Sequence, residues 1–277
     1  MLLKGIAALS LVISLVSAAV MHVFYGFPLW LAPLLYAADC LILFLLAFLF
    51  LCIVCALVDL NKPQEEDSRF YRAVMHLYIE ALITLVRLKV EVSGLEKTPR
   101  EGRFLLVCNH QNEADPGILL HYFKKSQLAF ISKRENANMF AVGKFMHKIL
   151  CQLVNRENDR EALKTILKCI QLIKEDKVSI GAFPEGGIKE KNKLSHFRNG
   201  MFKIAQKANV PIVVCTLKGT SELFHNLKRL KPTYVRLHLV DVISAEEVKA
   251  ANTVELGERI YQMMLADLGP EYDLDNG

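Results

Sequence analysis

The chain has 277 residues, with 34 Lys plus Arg against 29 Asp plus Glu for a formal charge of +5, and 52% of it is hydrophobic. With a mean hydropathy of +0.26, this composition excludes a disordered or collagen-like chain; the length admits one domain with an appendage, or two small ones. The first sixty residues hold only Lys4, Asp39 and Asp59, so residues 61–277 carry 33 basic and 27 acidic residues, and a purely soluble enzyme is excluded as well.

Residues 5–27 form a run of 23 without Lys, Arg, Asp or Glu, and residues 40–58 a second of 19. As helices these would measure about 35 Å and 29 Å, enough to cross a hydrocarbon core of about 30 Å. Pro28 and Pro33 lie between them. Lys4 precedes the first run, and Lys62, Arg69 and Arg72 follow the second. That bias predicts a transmembrane helical hairpin, residues 1–60, with both ends in the cytoplasm. A cleaved signal peptide ending near Ser17-Ala18-Ala19 is the alternative for the first run; the second would still anchor the chain in the same orientation. Residues 61–67 read as a polar, Pro-broken linker. Residues 68–86 read either as a buried helix or as an interfacial one with snorkelling basic side chains.

The seven cysteines do not indicate an oxidising compartment. Cys52-x-x-Cys55 imitates a redox motif, but inside a membrane helix it is a pair of small hydrophobes; Cys40 lies beside them, and Cys108, Cys151, Cys169 and Cys215 are dispersed. No Cys/His spacing resembles a zinc site, so no metal is expected. Basic residues intermixed with acids, without an aromatic-basic motif, disfavour a nucleic-acid partner.

From residue 88 onward strands and helices alternate. Residues 88–92 and 104–108 read as strands, 160–174 as a helix, 178–183 as a strand broken at Pro184, 202–209 as a short helix, and 210–217 and 234–243 as strands. Ser244-Ala245-Glu246-Glu247 is a capping box for a further helix. The alternation predicts an α/β domain over 88–277, with no internal repeat.

Directly after the inner strand comes Asn109-His110-Gln111-Asn112-Glu113-Ala114-Asp115-Pro116. A turn there can fold the Asp115 carboxylate back onto the His110 ring, so that one nitrogen donates to the acid and the other faces outward as a base. Asp115-Pro116 could instead simply start a helix. The strand ending at Phe183 leads into Pro184-Glu185-Gly186-Gly187, whose glycines permit close backbone approach to a ligand, and then into Lys189, Lys191, Lys193 and Arg198. Asn155-Arg156 ends another apolar stretch, and an Arg there is shaped for a phosphate.

In order and spacing these elements resemble the 1-acylglycerol-3-phosphate acyltransferases, the glycerophospholipid acyltransferase family with an H-x4-D motif. Residues 109–115 match its first block; Ser132-Lys133-Arg134-Glu135-Asn136 with Gly143 and Asn155-Arg156 its second; Phe183-Pro184-Glu185-Gly186 its third; Val210-Pro211-Ile212-Val213 its fourth. The similarity runs over residues 89–268. It implies a mixed β-sheet flanked by helices, with His110 as general base and Asp115 orienting it. Arg156, Glu185 and Gly186 would meet the acceptor's phosphate, helped by Lys189 and Arg198, while Asn109, Lys133, Gly187 and Pro211 support the blocks. The third block usually continues Thr-Arg; here it is Gly187-Ile188, with Lys189 one place later, and the second lacks its usual Pro.

The reaction implied is transfer of a fatty acyl group from acyl-CoA or acyl-acyl carrier protein to the sn-2 hydroxyl of lysophosphatidic acid. Phosphatidic acid is formed at the cytoplasmic side of the cell membrane, with no bound cofactor. No Ser or Cys sits in a nucleophile-elbow context, which favours direct attack over an acyl-enzyme. Four alternatives stand beside it: glycerol 3-phosphate or another lysophospholipid as acceptor, a thioesterase, and a non-catalytic lipid-binding protein with the same fold.

Overall fold

The computed structural model describes residues 1–155 and 158–274, in two compact units, Met1–Pro63 and Gln64–Gly277.

The first unit is a pair of helices, α1 (Leu2–Tyr25) and α2 (Ala32–Ala56), joined through a 3₁₀ turn at Leu29–Leu31. The second helix starts eight residues before the uncharged run. Pro33 falls in its first turn, where no intrahelical N–H is needed, so the helix continues through Asp39. Small residues four apart, Ser10, Ser14 and Ala18, are buried, and the Ser14 hydroxyl is satisfied by the Leu11 carbonyl at 3.1 Å. Leu, Val, Ile and Phe side chains cover most of the remaining surface. Both Leu2–Tyr25 and Leu29–Ala56 are long and apolar enough to cross a membrane.

The second unit opens with α3 (Arg69–Leu85), capped by the Ser68 hydroxyl, which accepts from the Tyr71 N–H. Helix α3 buries Val74, Met75 and Ala81, while Phe70, Leu82 and Leu85, nearer its two ends, are exposed. Arg72 is buried too, and its charge is met: the guanidinium donates to both Asp67 oxygens and, at 2.9 Å, to the Leu128 carbonyl. A buried cation without such partners would be strongly destabilising.

The remaining elements are β1 (Leu88–Ser93), β2 (Leu105–Cys108), α4 (Asp115–Tyr122), β3 (Leu128–Lys133), α5 (Phe140–Lys148), β4 (Gln152–Val154), α6 (Asp159–Lys174), β5 (Ser179–Ala182), α7 (Lys203–Ala208), β6 (Ile212–Lys218), α8 (Leu223–Lys228), β7 (Thr233–Ile243), α9 (Ala245–Ala250) and α10 (Thr253–Leu268). The strands form one seven-stranded sheet in the order β1-β7-β6-β2-β5-β3-β4. Strands β6, β2, β5, β3 and β4 are mutually parallel. The pair β1 and β7 runs parallel to each other and antiparallel to β6, with a bulge between Val214 and Cys215. The sheet is therefore mixed, and the fold α/β.

Central strand β2 is buried along its whole length, which is why it reads as an unbroken apolar run rather than an alternation. Its Leu105 and Val107 join Ile180, Ala182, Ile212 and Val214 in the core beneath α6, α7, α9 and α10. By the two-residue period of strands, Leu106 and Cys108 face the opposite side. Because β2, β5 and β3 are parallel, Cys108, Ala182 and Lys133 all end at one edge of the sheet. The loops that follow those three ends carry the chemistry.

Candidate active site

Asn109 fixes the end of β2. Its side-chain amide copies a backbone peptide, donating to the Leu217 carbonyl at 2.8 Å and accepting from the Leu217 N–H at 2.7 Å. The strand pairing with β6 thus continues one residue past the point where the main chain turns away, and His110 is presented from a clamped root.

The turn then folds as the His-x4-Asp spacing allows. Asp115 stands at the first position of α4, yet its carboxylate does not cap the helix. Oδ2 reaches back over the turn to accept from the N–H groups of Gln111 (2.7 Å) and Asn112 (2.8 Å) and from His110 Nδ1 at 2.9 Å. The acid is fully buried, and its other oxygen, Oδ1, has no partner among the described residues. Donation from Nδ1 to a carboxylate places the proton on that nitrogen and leaves the Nε2 lone pair available. Nε2 has no hydrogen-bond partner among the described residues, and the His110 side chain is 15% exposed.

One face of the imidazole is also held. The Phe183 ring stacks on it at 4.0 Å between centroids and 15° between planes, and Phe130 backs Phe183 at 5.5 Å and 16°. Gly181, in the middle of β5, makes room for this column: a Cβ there would lie 2.6 Å from the Phe130 ring. Edge and face together fix the ring in one orientation, the condition for a general base to meet its proton.

Glu185 sits differently from the phosphate-facing position that the family resemblance implies. It is 1% exposed, and both oxygens are taken by backbone donors: Oε1 by the His110 N–H at 2.6 Å, Oε2 by the Ser195 N–H at 2.9 Å. It joins the loop after β2 to the loop after β5. Gln111 ties the same loops a second time, donating to the Lys193 carbonyl and accepting from the Asn192 N–H. Burial pushes the Glu185 carboxyl up to about 7, against the opposite pull of its two backbone donors.

An acid raised in the folded state holds its proton between pH 4.5 and about 7 while the unfolded chain has lost it. Its contribution therefore favours folding at the acid end, is lost as pH rises through that window and is level above it. Glu185→Gln lacks this titration, so the stability of the unmodified protein relative to the variant should fall by up to about 1.4 kcal/mol per pH unit across that window. Parallel curves over this range would contradict a buried acid that titrates late.

Of the remaining predicted site residues, Gly186 has φ +74, and a Cβ on it would lie 2.7 Å from Arg198 Nε, so this glycine admits the Arg198 side chain across the turn. Arg198 is exposed and has no ion pair among the described residues. Gly187 follows with φ +146, and Lys189 is exposed. Lys191 is paired with Glu222 at 2.6 Å, and Lys193 donates to the Asp273 carbonyl. Lys133 ends β3 at the site edge, whereas Pro211 precedes β6 at the opposite edge, where its carbonyl accepts from Leu105, and is remote from the site. Asn155 donates to Glu161; Arg156 lies outside the described residues.

The cysteines supply no nucleophile here, since burial raises the Cys108 thiol well above its ordinary range. Phe130, Gln111 and Ser195 were not foreseeable as parts of the site. The partners of Phe130 and Gln111 lie 53 to 82 positions away and that of Ser195 ten, across a loop, and no local pattern signals such contacts.

Residues 89–218 match the family Acyltransferase. A probable 1-acyl-sn-glycerol-3-phosphate acyltransferase of Mycoplasma pneumoniae is 30% identical over 178 residues, covering 62% of this chain and 64% of that protein. The 1-acyl-sn-glycerol-3-phosphate acyltransferase of Borreliella burgdorferi is 26% identical over 189 residues, 66% of this chain and 74% of its own. A Chlamydomonas reinhardtii protein of the same description is 30% identical, with 54% of its length covered. Among solved structures, the 1-acyl-sn-glycerophosphate acyltransferase of Thermotoga maritima shares the fold with a TM-score of 0.62 and 19% identity, over 94% of both chains. His110, Asp115 and Glu185 all fall inside the stretch that matches the family model.

Proposed function

We propose that the protein transfers a fatty acyl group from a thioester, acyl-CoA or acyl-acyl carrier protein, to the sn-2 hydroxyl of 1-acyl-sn-glycerol 3-phosphate, forming phosphatidic acid. The observation that carries this reading is the His110 ring, held by Asp115 at Nδ1 and open at Nε2. Nε2 takes the hydroxyl proton as the oxygen attacks the thioester carbonyl. The tetrahedral intermediate collapses with cleavage of the C–S bond, and the proton passes from the imidazolium to the departing thiolate. Asp115 stabilises the imidazolium between the two transfers. No acyl-enzyme is required.

Arg198, lying over Gly186, supplies the cation that Ile188 cannot, and with Lys189 and Arg156 it holds the acceptor's phosphate. Glu185 and Gln111 brace the two loops that carry these groups. Residues 1–60 anchor the enzyme in the cell membrane, residues 61–87 connect, and residues 88–277 form the catalytic domain on the cytoplasmic side, where the water-soluble donor is met. The charge pattern around the two apolar runs supports that orientation.

Mass spectrometry of products formed from lysophosphatidic acid with each donor tests the reaction: phosphatidic acid is expected, and free fatty acid alone would identify a thioesterase. Glycerol 3-phosphate and larger lysophospholipids, offered in parallel, decide the acceptor, for which Ile188 at the usual Arg position leaves a second reading open. Arg198→Ala should raise the acceptor KM with kcat nearly unchanged, as loss of uniform binding does. A selective rise in the donor KM would move Arg198 to the other substrate.

A further inference from the structure

Beyond α10 the chain turns at Gly269, where φ is +108, passes through a 3₁₀ turn at Pro270–Tyr272 and lies against the loop that follows β5. Tyr272 is 3% exposed and shares the core with Leu194 and Leu268. Its carbonyl accepts from the Leu194 N–H at 2.7 Å, and the Leu194 carbonyl accepts from the Tyr261 hydroxyl of α10 at 3.2 Å. Both peptide groups of Leu194 are thus held from the C-terminal side. On one side of it, Lys193 donates Nζ to the Asp273 carbonyl at 2.7 Å, while its own carbonyl accepts from Gln111. On the other, the Ser195 N–H goes to Glu185, whose second oxygen holds the His110 N–H. The segment is fastened to β6 as well: Lys218 donates to the Leu268 carbonyl and to Glu271, both at 2.7 Å, and its ammonium lies 5.3 Å from the Tyr272 ring centroid. Residues 261–273 all lie outside the stretch 89–218 that matches the family model.

We propose that Tyr272 is a positioning residue for His110: residues 269–273 form a strap that holds residues 193–195 and, through Ser195 and Glu185, the backbone at His110. The described residues 183–198 form neither helix nor strand. Their peptide groups must find partners elsewhere, and every residue fixed there loses conformational entropy. The Ser195 N–H meets Glu185 only while Leu194 stays where the strap puts it. A Glu185 carboxyl released from that donor is free to turn, and its grip on the His110 N–H loosens with it. The inference rests on His110 being the base of the proposed reaction.

Two full-length variants free the strap by different routes. Tyr272→Ala withdraws the ring from the core. Lys193→Met combined with Lys218→Met keeps the ring and cuts the ties to Asp273, Leu268 and Glu271. Tyr272→Phe keeps the ring and loses a hydroxyl that has no hydrogen bond among the described residues. Hydrogen exchange followed by mass spectrometry reads peptides covering residues 192–198, with residues 105–108 of β2 as reference. In both freed variants exchange over 192–198 should quicken by about tenfold or more, with 105–108 unchanged. Their kcat should fall by up to about 10²-fold, the scale on which a small misplacement acts. Tyr272→Phe should match the unmodified protein in both measurements.

Unchanged exchange over 192–198 in Tyr272→Ala and in the double lysine variant would overturn the proposal. So would quickened exchange there with kcat unaltered, which leaves the loop tethered but positioning nothing. Exchange quickened equally at 105–108 in both variants would make the segment a prop of the whole core and overturn it too. Exchange reads the loop whatever reaction the site performs, so failure of the strap and failure of the proposed acyl transfer are told apart.

Discussion

His110→Ala is expected to lower kcat by ~10²–10⁴-fold, the range a positioned general base supplies. The size follows from how completely the ring is committed. Nδ1 is held 2.9 Å from a fully buried carboxylate, one face lies 4.0 Å from Phe183, and the backbone N–H is tied to Glu185. Lys191 and Lys193 of the neighbouring loop are held by Glu222 and by the Asp273 carbonyl. Thiol release from the acyl donor in the presence of acceptor measures the loss, and the unfolding midpoint of the purified variant checks that the fold survives. Turnover close to that of the unmodified enzyme would remove His110 from the mechanism.

Asp115→Asn should cost nearly as much, as much as ~10⁴-fold where a buried acid sets the tautomer of a catalytic imidazole. Oδ2 gathers three donors: two loop N–H groups and the imidazole. An amide oxygen in its place still accepts from the loop, so the turn should persist. The neutral side chain, however, no longer stabilises the imidazolium formed on proton uptake, and an amide rotated the other way would set an N–H against the ring. The expected signature is a fall in kcat with little change in either KM. Unchanged kcat would reduce Asp115 to a structural residue at the start of α4.

Much of this was visible in the order of residues. The His-x4-Asp spacing implied an acid returning to a ring, and the unbroken apolar run before it implied an inner strand; both are set by local geometry. The Pro-Glu-Gly-Gly segment was legible as a turn close to the site, but the direction of its acid was not. Glu185 turns inward because two backbone N–H groups, from positions 110 and 195, converge on it, and convergence across 75 residues leaves no mark on local sequence. Strand β3 and helices α5, α8 and α10 were not identified, whereas the helix start at Asp115-Pro116 was read as an alternative to the returning acid, and the structure has both: Asp115 opens α4 while its carboxylate turns back to His110. Pro211 was placed in the site by block order alone; the parallel run of β6 beside β2 carries it to the far edge.

The bare Cα at Gly181 gives the protein an unusual point of vulnerability. The Phe130 ring fills the volume a side chain at that position would occupy, and the column Phe130–Phe183–His110 passes any displacement on to the imidazole. Addition of one methyl group inside a strand would act as a wedge driven in two rings away. Screens for inactivating substitutions that follow only charged or reactive residues would overlook this position.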